Sequence, residues 1–425
     1  MHITRSQIHE LVRPDAFQWL AAIEDTFITT PSPKTGRTLD EYELTGHYGR
    51  WKLDLDLFAE LGLRSVRYGI PWHRISPARG TWNFSWTDQV LGRLLELGIQ
   101  PVVDLVHYGL PPWIEGAWLH PDFPELMAEY AARVAERYKG RIFTYTPLNE
   151  PRITAWYCGK LGWWPPARRG WRGFLSVMIA ACRGIVRTVE EMTAVDPDIV
   201  AIHVDATDLY EAATPDLERE AGRRQDIVFL ALDLVTGRID DRHSLHSWLL
   251  TNGVSEAELG WFRDRALTID LLGLNLYPLF TRKRLLRTPR GLRTRMPYGS
   301  ASILERLAEM YWSRYRCPLF VSETASAGRR RLAWLEDSVE AVARVRARGI
   351  PLVGYTWWPL FALVTWGYRE GRKSPAEYLL QMGLWNLEPT QNGLERVPTA
   401  LVERYREIVA GGADLVGRLA AAGST

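Results

Sequence analysis

Short apolar segments rich in β-branched residues alternate with amphipathic helical segments along almost the whole chain. Eight segments predict strands: Phe17–Ala22, Ser65–Ile70, Pro101–Val106, Ile142–Leu148, Val200–Val204, Leu271–Leu276, Leu319–Ser322 and Leu352–Trp357. The predicted helices are Tyr48–Leu61, Thr87–Leu97, Pro124–Tyr138, Gly173–Thr193, Asp216–Thr236, Ile303–Tyr315, Leu332–Arg348 and Pro398–Val409. Four glycines are placed as helix C-caps just before a strand: Gly62, Gly98, Gly140 and Gly349. Such alternation predicts parallel strands joined by crossover helices.

Eight strand–helix units without a Gly/Ser-rich linker predict a single (β/α)8 TIM barrel with extended βα loops. The length of 425 residues suits one domain over residues 1–425, because such barrels run from about 200 to more than 400 residues. A doubly wound sheet would need a glycine-rich phosphate loop after the first strand, and Ala22–Asp25 contains no glycine. The alanine- and glycine-rich tail from about residue 411 is expected to fray.

Charge and cysteine content exclude several classes of partner. The formal net charge of +2 provides no field for binding nucleic acid or a membrane. The three cysteines lack metal-binding spacing, and their odd number suits a reducing compartment. The N-terminal residues contain no apolar run typical of a signal peptide, so we expect a soluble, cytoplasmic protein. The sequence leaves the oligomeric state open.

Two glutamates at predicted strand ends carry the strongest functional signal. Glu150 follows the fourth strand, between Asn149 and Pro151, and Glu323 ends the seventh strand. All strands of such a barrel open at their C-terminal ends on one face, so we expect the two carboxyl groups to face each other. Pro151 should stop the strand and favour an extended backbone at Glu150.

Facing carboxyl groups at a barrel mouth suit glycoside hydrolysis. One group acts as acid/base and the other as nucleophile in retaining enzymes, where they lie about 5–5.5 Å apart, against about 6.5–9.5 Å in inverting enzymes. Arg67 and Tyr277, at the ends of the second and sixth strands, are placed to keep Glu323 ionised. The alternative is that the two acids are unrelated. Further polar residues at the same face weigh against it: His107, Asn149 and Asn275.

Six segments, in chain order, resemble motifs of the family 1 glycoside hydrolases, the β-glucosidase group. Val66–Ile75 resembles FRFSISWSRI, His107–Pro111 resembles HWDLP, Thr146–Pro151 resembles TxNEP, Leu272–Tyr277 resembles IGLNYY, Phe320–Thr324 resembles ITENG, and Gly354–Trp366 resembles GYFVWSLLDNFEW. Each motif alone is weak, but their order over nearly the whole chain is highly specific. The resemblance implies the same barrel fold and no metal or organic cofactor.

Carried over position by position, the resemblance implies a retaining β-glycosidase with Glu323 as nucleophile and Glu150 as acid/base. It implies that His107 and Asn149 donate hydrogen bonds to sugar hydroxyls, with Asn149 near the 2-hydroxyl. The remaining residues it implies are Arg67 and Tyr277, which hold the nucleophile; Asn275 as a supporting residue; Trp358 as the platform under the sugar; and Trp366 as a second sugar-site tryptophan.

The sequence departs from the family on the far side of the sugar pocket. The strand-1 glutamine of the YQIEG pattern has no clear counterpart, and Glu24 is a candidate to take over as sugar ligand. Thr365 stands where the family has a glutamate that holds the 4- and 6-hydroxyls. Loss of a charge-assisted hydrogen bond weakens discrimination by about 1.5–3 kcal/mol. We therefore make no assignment of glucose or galactose specificity.

The segment after the sixth strand, residues 281–295, holds seven basic residues and no acid. Arginines also follow the fourth and seventh strands: Arg168, Arg169, Arg172, Arg329, Arg330 and Arg331. Basic loops at one mouth could steer an anionic glycoside into the site. The alternative is a solvated flap whose arginines pair with acids elsewhere or with another subunit.

The sequence leaves three further functions open. A transglycosidase would use the same glutamates with an alcohol in place of water, in acceptor space near Trp163, Trp164 and Trp171. A 6-phospho-β-glycosidase is suggested loosely by Thr365 with Arg372 and Lys373. A catalytically idle sugar-binding protein is disfavoured, because it would not need both glutamates together with the polar residues around them.

Overall fold

A computed structural model describes residues 12–422. Eight parallel strands close into a barrel in which each strand pairs with the next and the eighth pairs with the first, which confirms the predicted fold. The barrel strands are β1 (Gln18–Ala22), β2 (Ser65–Gly69), β3 (Gln100–Asp104), β4 (Thr144–Thr146), β5 (Val200–Ala206), β6 (Leu271–Asn275), β7 (Leu319–Thr324) and β8 (Leu352–Trp357). All eight overlap the predicted strands, and β8 has the predicted bounds.

Long helices cover the barrel from outside. They are α1 (His47–Glu60), α2 (Ser85–Glu96), α3 (Phe123–Tyr138), α4 (Gly170–Val195), α5 (Glu218–Val235), α6 (Ser302–Tyr315), α7 (Arg331–Ala347) and α8 (Ala400–Ala422). The glycines predicted as C-caps have positive φ values of 73°, 74°, 71° and 76°: Gly62, Gly98, Gly140 and Gly349. A left-handed residue after the last turn satisfies terminal carbonyls at no Cβ cost in glycine.

The interior of the barrel is a packed core and not a pore. Leu20, Val102, Val204, Phe320 and Val353 belong to one buried cluster inside the closed sheet. A second, larger cluster lies between the sheet and the helices. Because the interior is filled, ligand-sized space is left only at the ends of the strands.

Shorter elements lie in the connections between the barrel strands and the outer helices. The additional strands are Phe27–Ile28, Leu39–Asp40, Leu209–Ala212, Arg282–Thr288, Gly291–Arg295, Leu363–Val364, Leu379–Leu380, Trp385–Thr390 and Gly393–Pro398. The short helices and helical turns are Glu41–Leu44, Trp72–Ile75, Ala117–Leu119, Pro151–Ala155, Trp156–Leu161, Pro215–Leu217, His246–Thr251, Glu256–Asp264, Gly328–Arg330, Trp366–Glu370 and Pro375–Tyr378.

The C-terminal tail is helical as far as Ala422, and Gly412 interrupts the helix with φ 54° and ψ −148°. The indole of Trp19 donates a hydrogen bond to the Gly412 carbonyl at 3.2 Å, which ties this break to β1. Fraying from about residue 411 stays a prediction. Over residues 12–422, no helix has the length and apolar character needed to cross a membrane.

Candidate active site

The segment after β4 carries Glu150 to the mouth of the barrel. The Asn149 N–H donates to the Val106 carbonyl at 2.9 Å, and the Glu150 N–H donates to the Val204 carbonyl at 3.0 Å. Glu150 adopts φ 48° and ψ 65°, so the extended backbone that we expected before Pro151 is wrong. Hydrogen bonds to both neighbouring strands fix this conformation, and Pro151 opens a short helix at a position where no N–H is needed.

The carboxyl group of Glu150 accepts hydrogen bonds at both oxygens. Oε1 accepts from Nδ2 of Asn275 at 2.9 Å, and Oε2 accepts from the hydroxyl of Tyr108. Asn275 is itself held by Ser322, whose hydroxyl donates to its Oδ1 at 2.6 Å. Only 5% of Glu150 is exposed. The acid is therefore held in one orientation and is largely shielded from bulk water.

Glu323, on β7, accepts hydrogen bonds from Nη1 of Arg67 at 2.7 Å and from the hydroxyl of Tyr277 at 2.8 Å. Its side chain is 4% exposed. Burial raises the pKa of Glu323 to about 8, with Arg67 lowering it and the nearby Glu150 raising it. A pocket with two buried carboxyl groups of this kind retains a proton near neutral pH, and the donors Arg67 and Tyr277 favour negative charge on Glu323.

Arg67 is the fully buried cation at the centre of the site. Its Nε donates to Oδ1 of Asp104 at 3.0 Å, and its Nη2 lies 2.5 Å from Oδ2 of the same carboxylate. Nη2 also donates to Oδ1 of Asn149 at 2.7 Å. The guanidinium carbon lies 4.6 Å from the ring centre of Trp358. One side chain thus joins the ends of β2, β3, β7 and β8 with the segment after β4.

His107 forms a buried pair with Asp25, with Nδ1 2.5 Å from Oδ1. Burial raises the pKa of Asp25 to about 6, against the lowering effect of His107. Burial lowers the pKa of His107, but the charges of Asp25 and Glu24, together with hydrogen bonds to Asp104 and Asp25, raise that pKa well above its usual range. Nδ2 of Asn149 lies 2.9 Å from Nε2 and offers it a donor. The imidazole is therefore held in place from both sides, by Asp25 at Nδ1 and by Asn149 at Nε2.

Glu24, after β1, lies in the same constellation. Its Oε2 accepts a hydrogen bond from the indole of Trp358 at 3.0 Å, and its Oε1 accepts from the hydroxyl of Thr26 at 2.6 Å. The Trp358 ring stacks on His107, with ring centres 5.5 Å apart and planes 20° apart. A sugar role for Glu24 stays a prediction, but the structure places its carboxylate against the predicted platform.

An aromatic wall, formed by Tyr108, Tyr157, Trp164 and Trp366, stands beside Glu150. The ring of Trp366 lies 5.3 Å from Tyr108, 5.2 Å from Tyr157 and 5.0 Å from Trp164, centre to centre. The wall draws on the loops after β3, β4 and β8. Trp366 packs against Tyr108, which contacts Glu150; a sugar role for Trp366 stays a prediction.

The segment after β8 holds the three residues considered for a phosphate, namely Thr365, Arg372 and Lys373. The Thr365 N–H donates to the Tyr378 carbonyl at 2.8 Å. Arg372 and Lys373 are exposed, and Lys373 lies 3.5 Å from Oε2 of Glu377 in an ion pair. These contacts give no support to the 6-phospho alternative.

The tryptophans considered for acceptor space differ in exposure. Trp163 is 57% exposed, whereas Trp164 is 3% exposed and belongs to the aromatic wall. Trp171 lies under Lys160, whose Nζ is 3.9 Å from the ring centre. Only Trp163 offers an open ring face for a second ligand.

The basic segment after β6 folds as a hairpin of Arg282–Thr288 and Gly291–Arg295, joined in parallel to Leu209–Ala212. Three of its basic residues pair with acids, so the alternative of a salt-bridged flap is correct for them: Arg282 with Glu211 at 3.0 Å, Lys283 with Asp208 at 3.3 Å, and Arg287 with Asp216 at 3.0 Å. The other four are exposed and have no ion pair within residues 12–422: Arg284, Arg290, Arg293 and Arg295.

The arginines after β7 divide in the same way. Arg331 is buried, and its Nη1 donates to the Gly383 carbonyl at 2.6 Å, so this arginine is not available to attract a substrate. Arg330 is exposed, and its guanidinium lies 4.4 Å from the ring centre of Tyr298.

One group of residues in the described chain has its ligand atoms close enough for a metal ion, namely Glu24, Asp25 and His107, within 4.8 Å of one another. Asp25 and His107 are already paired through Nδ1, and Glu24 is held by Thr26 and Trp358. Because Nδ1 of His107 faces Asp25 and both oxygens of Glu24 accept hydrogen bonds, we assign them no metal.

Comparison with known proteins identifies the family of this chain. The model of "Glycosyl hydrolase family 1" matches residues 20–231. The chain belongs to glycosyl hydrolase family 1. Beta-glucosidase A of Thermotoga maritima is 34% identical over 141 residues, which cover 32% of this chain and 31% of that protein. Beta-glucosidase 47 of Arabidopsis thaliana is 22% identical over 430 residues, covering 85% of this chain and 75% of that protein.

The first two curated relatives are matched over only about a third of their length, 31% in each case. Solved structures extend the likeness of fold to nearly the whole chain. The family 1 b-glucosidase of Thermotoga maritima has a TM-score of 0.80 at 21% identity, with 94% of this chain and 98% of that chain covered. The AHE enzyme of Alicyclobacillus herbarius has a TM-score of 0.79 at 24% identity.

Sequence reasoning missed three residues of this family 1 site. Asp25 and Asp104, the partners of His107 and Arg67, are distant from them in sequence and carry no local signal. Tyr108 follows His107 directly, at the tryptophan position of the HWDLP-like segment. An aromatic residue with a hydroxyl at a strand end was a signal that could have identified it.

Proposed function

We propose that the protein is a retaining β-glycosidase that hydrolyses a β-O-glycosidic bond. The observation that carries the proposal is the pair of buried glutamates at the barrel mouth, each held by two donors. Glu323 accepts from Arg67 and Tyr277, whereas Glu150 accepts from Tyr108 and Asn275. Different partners give two chemically similar groups different tasks.

In the first step, a carboxylate oxygen of Glu323 attacks the anomeric carbon and the bond to the leaving oxygen breaks. Glu150 transfers its proton to that oxygen, so the leaving alcohol departs neutral. In the second step, Glu150 takes a proton from water, and the oxygen of that water displaces Glu323 from the anomeric carbon. The proton is thereby returned to Glu150 and the sugar is released.

The surroundings support this division of labour. Arg67 and Tyr277 favour the ionised form that a nucleophile needs. Both acids are nearly buried, at 4–5% exposure, which strengthens their electrostatic interactions with a bound sugar. His107, Asn149 and Trp358 surround the same space, so we assign them to binding the sugar.

A panel of neutral aryl β-glycosides tests the proposal with wild type, Glu150→Gln, Glu323→Gln and the exposed control Glu388→Gln. We expect Glu323→Gln to abolish turnover and the control to match wild type. Glu150→Gln should lose about 100-fold or more on poor leaving groups. Wild-type inactivity on every glycoside would favour a sugar-binding protein. Analysis of products formed in added methanol separates hydrolysis from transglycosylation.

We further propose that the natural substrate carries an anionic group beyond the sugar that is released. In the hairpin after β6, Arg284 lies directly opposite Arg295, and like charges in that register repel each other. Leu285 is buried on the other face of the strand, so Arg284, Arg293 and Arg295 share the outer face. A carboxylate or phosphate bound there would relieve the repulsion.

The test compares wild type with the triple variant Arg284→Gln/Arg293→Gln/Arg295→Gln on an anionic and a neutral glycoside. We expect kcat/KM for the anionic substrate alone to fall, by about 10-fold or more at low salt, and to fall in wild type as salt is raised. The control removes equal charge from the outer helices: Arg133→Gln, Arg406→Gln and Arg418→Gln. Equal effects on both substrates, or no salt dependence, would contradict the proposal.

A further inference from the structure

Tyr108, four residues beyond the end of β3, makes a contact with the acid/base candidate that the family resemblance does not supply. The residue is 2% exposed and adopts φ 66°, an unusual conformation for a side chain of this size. Its hydroxyl donates to Oε2 of Glu150. In the motif that this segment resembles, the position is tryptophan, which has no hydroxyl.

The direction of this hydrogen bond follows from the orientation of the Asn149 amide. Oδ1 of Asn149 faces two donors, Nη2 of Arg67 at 2.7 Å and Nδ2 of Asn275 at 3.2 Å. Nδ2 of Asn149 must then face acceptors, and it lies 3.2 Å from the Tyr108 oxygen. Because that oxygen accepts from Asn149, the proton of the Tyr108 hydroxyl points to Glu150.

Packing holds the ring in this position. The Tyr108 ring centre lies 4.5 Å from that of His107, 5.4 Å from Trp164 and 5.3 Å from Trp366. Burial and the charge of Glu150 raise the pKa of Tyr108 well above its usual range, so the hydroxyl keeps its proton. The ionisable groups whose charges act on it come from three strand ends, namely Glu24, Glu150 and Glu323, and the ring of His107 packs against it.

We propose that Tyr108 is a positioning residue that stabilises the carboxylate form of Glu150 and so favours proton transfer to the leaving group. This inference rests on the proposed glycosidase function. As the proton leaves Glu150 for the glycosidic oxygen, the carboxylate that remains accepts the Tyr108 hydroxyl more strongly. The hydroxyl proton stays on Tyr108 throughout, so no second proton transfer is needed.

Tyr108→Phe removes the hydroxyl and keeps the ring, and leaving groups of different basicity separate its effects. An alkyl or phenyl β-glycoside needs the proton, so kcat/KM should fall about 10- to 100-fold. A 2,4-dinitrophenyl β-glycoside departs without a proton and should change by less than about 3-fold. The basic limb of the pH profile of kcat/KM should move to higher pH, because the donor that favours the carboxylate is gone.

Tyr311→Phe is the matched control. Tyr311 is 3% exposed, its hydroxyl has no hydrogen-bond partner in the described part of the chain, and it lies on α6 outside the site. We expect it to leave both the leaving-group dependence and the pH profile unchanged. Should Tyr108→Phe fail to fold, 3,5-difluorotyrosine at this position keeps the shape and makes the hydroxyl a stronger donor. The basic limb should then move to lower pH.

Two results would overturn the inference in distinguishable ways. An equal loss on all leaving groups with an unshifted pH profile would show that Tyr108 only shapes the pocket, while the proposed function stands. Inactivity of the wild-type protein on every glycoside would contradict both the proposed function and this inference.

Discussion

Replacement of Arg67 by methionine tests whether one buried cation holds the site together. Arg67 donates hydrogen bonds to the carboxylates of Asp104 and Glu323 and to the amide of Asn149. Each hydrogen bond to a charged group contributes about 1.5–3 kcal/mol, so two carboxylates give about 3–6 kcal/mol. Removal of one partner from a buried ion pair costs about 3–5 kcal/mol. We expect the free energy of unfolding of Arg67→Met to fall by about 3–5 kcal/mol.

Urea denaturation at pH 7 measures this change, with Arg406→Met as control. Arg406 pairs with Glu403 on the surface of α8 at 2.8 Å, and such pairs contribute less than about 1 kcal/mol. Adding Asp104→Asn to Arg67→Met removes an unpaired buried charge and should restore part of the loss. A decrease of less than about 1 kcal/mol in the free energy of unfolding of Arg67→Met would contradict this expectation, because an exposed ion pair contributes as much.

The same variant should change the pH dependence of any remaining activity. Arg67 lowers the pKa of Glu323, which burial raises, so removing Arg67 raises that pKa further. The nucleophile is active only when ionised, and the acidic limb of the kcat/KM profile should therefore move to higher pH. An unshifted limb would show that Arg67 does not act on Glu323 during turnover.

Three further changes test the surroundings of the site. Arg396→Met leaves Asp54 buried without the two 2.8 Å contacts that it receives from Arg396, and should lower the free energy of unfolding by about 3–5 kcal/mol in urea. Gly69→Ala would place a Cβ 1.7 Å from Oδ2 of Asp25. We expect the free energy of unfolding in urea to fall by about 1–3 kcal/mol and kcat/KM to decrease. Unchanged values for both would contradict the close approach. Burial raises the pKa of the Cys158 thiol above its usual range, so Cys158 should react with a thiol reagent only in denaturant. Mass spectrometry of peptides locates the label, and labelling of Cys158 in the native protein would contradict the prediction.

The barrel could be predicted from the sequence because the apolar periodicity of each element is visible within that element alone. Each strand and helix shows its own apolar pattern, so β8 was placed at its observed ends and the others within a few residues. The shortest strand, β4, stops at Thr146 although the apolar pattern continues to Leu148. Beyond Thr146, an isolated bridge between Asn149 and Val204 continues the pairing with β5, and no local sequence pattern predicts such a bridge.

Two hairpins in the loops were not predicted. The arginines of 282–295 suggested a solvated loop, because strand propensity is weak where side chains are charged on both faces. The second hairpin, Trp385–Thr390 with Gly393–Pro398, turns at Gln391-Asn392 just before Gly393, and the Asn-Gly pair is a signal that could have been used.

In the site, the strand-end rule located the residues but not their partners. It placed Glu150, Glu323 and Arg67 on one face, since that placement follows from topology alone. The pairing of His107 with Asp25, and the hydroxyl of Tyr108 on Glu150, depend on side-chain orientation and tertiary packing. Such contacts join separate βα loops, whose relative positions the sequence pattern does not determine.

Covalent labelling tests whether Glu323 is the nucleophile that forms a glycosyl-enzyme. The protein is incubated with a panel of 2,4-dinitrophenyl 2-deoxy-2-fluoro-β-glycosides, which form the glycosyl-enzyme readily and release it slowly, and its proteolytic peptides are then analysed by mass spectrometry. We expect one sugar per chain, attached to Glu323, with parallel loss of activity and no labelling of Glu323→Gln. Labelling at a different carboxylate, or an enzyme that hydrolyses the matching glycosides while Glu323 stays unlabelled, would contradict it.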